Sequence, residues 1–243
     1  MKDNAYFEMY ENELTHPWYR ATRKILIKFL KDRLNKNSYI LDAGCGTGGT
    51  IMALKKAGFD KVTGIDNSKL ALELCKKNGI TNTILANVNR LPFKPQSFDA
   101  VICLDVLYHK GVSEKQALKE FSRVLKPGGI LYLEEPAFNW LFSKHDIAIE
   151  TEHRFTKKQL VRLAKSADFK IIKSTYFNTF LFLPILIKRL SYKFSREKNP
   201  ESDVYPIHPL LGNFMNKLFG IELAIIDKIS LPIGLSIICI GQK

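Results

Sequence analysis

Residues 41–49 read LDAGCGTGG. An apolar run ends here on an acid, and four glycines follow within six positions, so this stretch is the main sequence evidence for the fold. Glycines at the end of a strand let the chain turn tightly and let a ligand approach the main chain. The segment 44–49 fits the pattern GxGxxG, and Asp66 lies 20 positions after Gly46, as a nucleoside-binding fold requires. By itself this pattern admits a nicotinamide enzyme as readily as any other nucleoside binder.

Strand and helix signals alternate along the rest of the chain. A Ser68 cap opens a helix that stops at Gly79, and capping-box pairs begin two more helices at Ser113 and Thr156. Near-continuous apolar strands separated by helices predict a doubly wound parallel sheet covered on both faces. The predicted strands span 39–43, 62–66, 82–86, 98–105, 129–136, 168–177 and 235–243.

Length and composition predict one well-buried domain, since the chain has 243 residues of which 46% are hydrophobic. The first residues carry acids and no apolar export core, and the longest apolar run, 177–187, is too short for a bilayer of ~20 residues. The four cysteines are scattered without a CxxC pair, so we expect reduced thiols, no metal site and a cytoplasmic protein.

The net charge of +13 would attract nucleic acid, anionic lipid or phosphorylated substrates. Lysine far outnumbers arginine, however, and no arginine-rich patch is interleaved with aromatic residues. The net charge therefore reflects the overall amino-acid composition rather than a nucleic-acid-binding patch. The sequence favours a small-molecule partner over nucleic acid.

Asp42 narrows the choice of ligand because it lies two positions before the first glycine. An anion at this point would repel a pyrophosphate but suits an ammonium or a sulfonium group. The stretch 87–99 adds a companion loop that a nicotinamide site does not call for.

Four linked motifs carry a resemblance to a known family: LDAGCGTG at 41–48, GID at 64–66, LPFKPQSFD at 91–99 and LKPGG at 125–129. In order and spacing over residues 38–175, the chain resembles the class I S-adenosylmethionine-dependent methyltransferases, specifically the small-molecule, type 11-like group. The resemblance implies an α/β fold with a seven-stranded, mostly parallel sheet whose last strand is antiparallel. One domain is expected, with N-terminal helices over 1–36, a cofactor-binding core over 37–178, a helical insertion over 179–230 and a final strand over 231–243.

The resemblance also implies the cofactor, S-adenosylmethionine, and the residues that bind it. Asp42 would face the amino group of the cofactor, Asp66 would accept bonds from both ribose hydroxyls, and Asn87 would stand where the family usually has an aspartate beside adenine. The full expected set is Asp42, Gly44, Cys45, Gly46, Asp66, Asn67, Asn87, Val88 and Leu104.

His109 is the predicted catalytic residue, because it matches a histidine that many family members carry after the fourth strand. It serves either as a general base, for which an ordinary pKa of about 6.5 is suitable, or as a brace for its loop. Tyr108 replaces the acid that usually precedes this histidine, which argues against a divalent metal there.

Residues after the fifth strand are the predicted substrate contacts. The HD pair at 145–146, HRF at 153–155 and YFNT at 176–179 are similar to elements of one prokaryotic branch of the family. His153 and Arg154 would hold an acidic or phosphorylated group. Alternatively, His153 would only be part of a loop-to-helix junction before the Thr156 cap. With Tyr108, the expected substrate residues are Trp140, His145, His153 and Arg154.

About fifty residues separate the sixth and seventh strands, where the family has a short turn. Apolar helices are predicted at about 179–194 and 210–229, with a loop at 201–210. We expect a lid over the pocket, and the alternatives are extra core, a dimer surface or contact with a membrane surface.

The sequence therefore predicts a methyltransferase of a small-molecule acceptor, such as a sugar, cell-envelope or secondary-metabolite precursor. The alternatives are a lipid-linked acceptor at the membrane surface and RNA. The acceptor atom and the oligomeric state are left open.

Overall fold

The computed structural model of the chain describes residues 1–194 and 207–243. Residues 201–206 of the predicted loop lie outside the described residues. The helices are α1 (Asp3–Asn12), α2 (Pro17–Lys31), α3 (Gly49–Lys56), α4 (Lys69–Lys77), α5 (Glu114–Val124), α6 (Lys144–Ala148), α7 (Lys157–Ser166), α8 (Phe182–Phe194) and α9 (Pro209–Ile225). The strands are β1 (Ile40–Ala43), β2 (Val62–Asp66), β3 (Thr83–Leu85), β4 (Phe98–Leu104), β5 (Leu125–Pro136), β6 (Lys170–Phe177) and β7 (Ser236–Gln242).

The strands form one seven-stranded sheet in the order β3-β2-β1-β4-β5-β7-β6. Neighbours from β3 to β5 pair in parallel, whereas β7 pairs antiparallel with both β5 and β6. The predicted fold class is thereby confirmed. The strand order changes direction between β1 and β4, so the crevice for a ligand opens at the carboxyl ends of these two strands.

Local signals placed most element ends correctly. The Ser68 hydroxyl accepts from the backbone N–H of Ala71 at 3.2 Å, and the box between Thr156 and Gln159 forms. The box predicted at Ser113 is wrong, although α5 does begin after this residue. The Ser113 side chain makes no cap bond. Its backbone N–H, which a capping box would give to the Gln116 side chain, is held instead by Asn89 Oδ1 at 3.1 Å.

The insertion between β6 and β7 starts and ends at the carboxyl edge of the sheet, as the strand directions require. Glu222 of α9 fixes it there, because its buried carboxylate accepts from the backbone N–H groups of Asn178 at 2.7 Å and Phe180 at 2.8 Å. On the other side, Lys28 of α2 donates to the carbonyl of Leu223 at 2.9 Å. The insertion thus packs beside the crevice, and its role as a lid stays a prediction.

Candidate cofactor and acceptor site

The turn after β1 is shaped by two glycines with left-handed backbone. Gly44 has φ 92° and Gly46 has φ 52°, values that residues with a Cβ rarely adopt. A Cβ at Gly44 would also collide with the side chain of Val106, in the loop after β4. The turn can therefore lie against this loop only because side chains are missing.

The Asp66 carboxylate ends β2 and orients the turn. Its Oδ2 accepts from the Gly46 N–H at 3.0 Å, while Oδ1 accepts from the Ser68 N–H at 3.0 Å and from the Tyr6 hydroxyl at 3.2 Å. Burial raises the pKa of Asp66, and these three hydrogen bonds oppose that effect. A carboxylate has about four acceptor positions, and three of them are occupied here. Binding of both ribose hydroxyls therefore requires the position that the Tyr6 hydroxyl occupies.

Helix α1 and Glu13, the residue that follows it, cover the turn with three side chains that no sequence motif indicated. Besides Tyr6, the Met9 sulfur lies 2.8 Å from the position that a Cβ on Gly46 would take. The Glu13 carboxylate accepts from the Gly49 N–H at 3.1 Å and from the Thr47 hydroxyl. No sequence pattern joins these pairs, since Tyr6 and Asp66 are 60 positions apart.

Asp42 is only 2% exposed, and its Oδ2 has no hydrogen-bond partner among the described residues. Burial raises the pKa of Asp42 to about 7, and the charges of Asp66 and Glu13 add to this effect. A buried carboxylate oxygen without a donor favours a cationic ligand. The site therefore fits S-adenosylmethionine. The acid without a partner suits the ammonium group, the glycines of the turn leave room for the methionine part, and Asp66 can accept hydrogen bonds from the ribose.

The other predicted cofactor residues lie at or near the carboxyl ends of β1 to β4. Cys45 and Val88 are buried and Leu104 is half-buried, whereas Asn67 is exposed. Asn87 is exposed too, and its Oδ1 already accepts from the Asn89 N–H at 2.8 Å. One acceptor position on that oxygen remains for an adenine amine. Cofactor binding by this set stays a prediction.

His109 lies in the loop after β4, with its ring 4.2 Å from the ring of buried Tyr108. Burial lowers the pKa of His109 to about 4, so the expectation of an ordinary pKa is wrong. Its Nδ1 is buried without a hydrogen-bond partner in the described part of the chain. A neutral histidine with so low a pKa is a weak base near pH 7, and the catalytic role stays a prediction beside the role as a loop brace.

Arg154 does not present its charge to a substrate in this structure. It is 4% exposed and bonds both oxygens of Asp146, with Nε at 2.7 Å and Nη2 at 3.0 Å, while Nη1 donates to the Ala137 carbonyl. His153 Nε2 lies 3.2 Å from Glu114 Oε1. The geometry thus supports the junction that was the alternative for His153, and it pairs Arg154 with Asp146; binding of a substrate by either residue stays a prediction.

Two of the remaining predicted contacts are more accessible, whereas Tyr108 is buried. Trp140 is 51% exposed and stacks on Phe138 with ring centroids 5.3 Å apart. His145 is half-buried in α6. Substrate binding by Trp140, His145 and Tyr108 stays a prediction.

Residues 1–194 and 207–243 contain neither a metal-binding cluster nor a membrane-spanning helix. No group of three or more His, Cys, Asp or Glu residues there is arranged to hold a metal ion. None of the helices in these ranges combines the length and hydrophobicity of a bilayer-spanning segment.

Comparison with known proteins agrees with this geometry. Residues 41–133 match a family described as a methyltransferase domain. A probable tRNA methyltransferase 9B from Mus musculus is 35% identical over 127 residues, which cover 50% of this chain and 27% of that protein. The chain thus spans about a quarter of the length of this relative.

Solved structures share the fold at low identity. A geranyl diphosphate C-methyltransferase from Streptomyces coelicolor A3(2), in complex with Mg²⁺, geranyl diphosphate and S-adenosyl-L-homocysteine, has a TM-score of 0.60 at 16% identity. The alignment covers 89% of this chain and 78% of that one. The [4+2]-cyclase SpnF has a TM-score of 0.58 at 19% identity, with coverages of 90% and 80%.

Residues 41–133 belong to the methyltransferase domain family, and the sheet around them has the class I S-adenosylmethionine-dependent methyltransferase fold. The resemblance inferred from the four sequence motifs is confirmed.

The buried pair of Arg154 and Asp146 should be structural. Arg154→Ala removes the bidentate partner of the 1%-exposed Asp146, which keeps the Ser143 N–H at 2.8 Å and Arg189 Nη1 at 3.6 Å. We therefore expect the free energy of unfolding to fall by ~1.5–3 kcal/mol, less than for a buried charge left with no partner. Urea denaturation measures this, with exposed Arg162→Ala as the control. A loss as small as that of the control would contradict the assignment.

Tyr6 should compete with the cofactor for Asp66. Because Tyr6→Phe releases one acceptor position on Oδ1, we expect S-adenosylmethionine to bind about tenfold more tightly, as for one hydrogen bond to a charged group. Isothermal titration calorimetry tests this, with Tyr10→Phe on the same helix as the control. Weaker binding by Tyr6→Phe would show that the hydroxyl assists the cofactor instead.

Proposed function

We propose that this protein is an S-adenosylmethionine-dependent methyltransferase that acts on a small-molecule acceptor. The observation that supports this most strongly is the orphaned, buried Asp42 oxygen beside a turn stripped of side chains. A pyrophosphate-binding loop would not place an uncompensated acid there.

Different residues contact different parts of the cofactor. Asp42 binds the ammonium group, the backbone at 44–46 lies along the methionine part, and Asp66 binds the ribose hydroxyls. Asn67, Asn87 and Val88 contact the adenine ring, and Leu104 packs toward the reacting end. The bound cofactor supplies an electrophilic methyl group, and the protein aligns the acceptor with it.

The acceptor enters at the carboxyl edge, beside the insertion that we propose as its lid. The proteins compared above carry names that refer to tRNA and to geranyl diphosphate, so they favour no single acceptor. A sugar, cell-envelope or secondary-metabolite precursor is our leading proposal, in a cytoplasmic enzyme. The net charge of +13 and the relative named for tRNA favour RNA as the alternative acceptor.

Asp66→Ala should weaken binding of S-adenosylmethionine strongly. The variant removes the acceptor of two ribose hydrogen bonds, each worth roughly 1.5–3 kcal/mol, and it also frees the Gly46 turn. Calorimetric titration measures the loss, with exposed Asp60→Ala near the start of β2 as the control. Unchanged affinity would contradict the ribose assignment, and binding of NAD without S-adenosylmethionine would overturn the proposed function.

One observation favours a second candidate, an enzyme of lipid-linked acceptors at an anionic membrane surface. The outward faces of both insertion helices are apolar: Leu183 and Ile187 of α8 are each 61% exposed, and Leu210 and Phe214 of α9 are 75% and 56% exposed. Apolar faces on a strongly basic chain suit the interface of an anionic bilayer.

Vesicle binding tests this candidate. We expect the protein to sediment with phosphatidylglycerol-containing vesicles and not with neutral phosphatidylcholine vesicles. The double variant Leu183→Asp, Phe214→Asp should remove most binding, because it places charge on the apolar faces. The control Ile84→Asp replaces a 39% exposed residue of β3. Equal binding by the control and the double variant would exclude the insertion as the contact.

A further inference from the structure

Asp105 follows β4 directly and has a strained backbone. Its φ is 55°, in the left-handed region that residues other than glycine seldom adopt. Its N–H donates to the carbonyl of Glu134 at 2.8 Å, which holds this conformation in place. The strain is maintained at the carboxyl edge of the sheet, next to the point where the strand order reverses.

The Asp105 carboxylate makes no hydrogen bond with any group in the described part of the chain, and the residue is half-buried. The neighbouring acids differ. Glu134 accepts from the Thr22 hydroxyl at 3.1 Å, and Glu135 accepts from the Leu107 N–H at 3.0 Å; both are fully buried. Among these three acids, Asp105 is therefore the one that remains both partly exposed and unengaged.

Besides burial, the negative charge of Asp105 raises the pKa of titratable groups on neighbouring elements: Tyr19 of α2, Cys103 of β4, Tyr108 after β4, and Glu134 and Glu135 of β5. Arg154 is the cation that opposes them. Burial raises the pKa of Asp105 to about 7, and Arg154 limits the rise. A carboxylate that titrates near neutral pH can both take up and release a proton there.

We propose that Asp105 is the catalytic base of the methyl transfer, and that the acceptor is accordingly a protic group such as a hydroxyl. This proposal rests on the proposed function. The acceptor's lone pair forms the new bond to the methyl carbon, the electron pair of the broken carbon–sulfur bond stays on sulfur, and the acceptor's proton passes to a carboxylate oxygen of Asp105. Tyr19 and Tyr108 lie within electrostatic range of the same point and provide a polar surrounding for a hydroxyl.

A binding experiment tests the position of Asp105 without knowledge of the acceptor. Sinefungin carries an ammonium group where the cofactor carries its methyl-bearing sulfonium, whereas S-adenosylhomocysteine carries a neutral thioether. An ionised Asp105 beside the reacting centre would stabilise the ammonium selectively. The contribution of Asp42 cancels, because both ligands share the methionine ammonium.

We measure the ratio of the two dissociation constants by calorimetry in the wild type and in Asp105→Asn. Asparagine tolerates the left-handed backbone, so the fold should persist. We expect the preference for sinefungin to fall about tenfold in Asp105→Asn while the affinity for S-adenosylhomocysteine stays within twofold. Asp99→Asn, which removes a carboxylate from the other end of β4, should leave the ratio unchanged.

The pH dependence of the wild type is a second readout that needs no variant. Because the pKa of Asp105 is raised to about 7, its charge forms as the pH rises through that value. We expect the preference for sinefungin to grow between about pH 6 and about pH 8, and to be flat in Asp105→Asn.

The outcomes separate the two proposals. Failure of S-adenosylhomocysteine to bind would overturn the proposed function and this inference with it. Binding of both ligands with a ratio that depends neither on Asp105 nor on pH would overturn the inference alone. If Asp105→Asn unfolds, the pH profile of the wild type still decides.

Discussion

The Asp66 carboxylate is the interaction on which the site depends, because it joins three parts of the chain that are far apart in sequence. It receives the Gly46 N–H from the turn after β1, the Ser68 N–H at the start of α4 and the Tyr6 hydroxyl from α1. A buried carboxylate is costly unless donors surround it. These donors compensate the cost, and in doing so they hold the turn, the helix and the N-terminal cover in one arrangement.

The sign of the charge differs between the chain as a whole and the site. The chain carries a net charge of +13, yet acids collect at the carboxyl edge, where burial raises the pKa of Asp42, Asp105, Glu134 and Glu135. Net charge governs long-range attraction to a surface, whereas a ligand in the crevice meets these nearby acids in a low dielectric. This arrangement suits a cationic methyl donor such as S-adenosylmethionine. The net charge therefore bears on partners of the surface and does not identify the acceptor in the crevice.

The insertion before β7 has two faces with different roles in the structure. Its inner side is fixed by Glu222, which satisfies two backbone N–H groups at the end of β6, and by Phe219, whose ring lies 5.6 Å from that of Phe177. Its outer side keeps large apolar residues in water, with Leu210 75% exposed. The inner contacts explain why the helices sit beside the crevice, while the outer face is what a binding surface would use.

The sequence by itself determined what depends on neighbours in the chain. The alternation of apolar strand and helix segments predicted the layered sheet, because the periodicity of apolar side chains is visible in the sequence. The glycines of 41–49 predicted the turn, and Ser68 and Thr156 predicted two helix starts, because a helix cap rests on hydrogen bonds within about four residues. Tertiary structure decided the rest. The cover by Tyr6, the Arg154–Asp146 pair and the low pKa of His109 arise from packing between distant segments. Ser113 shows the same limit locally, because Asn89, brought in from another loop, took the N–H of the residue expected to form a capping box. Burial and long-range donors set these properties, and neither has a periodic signature in the sequence.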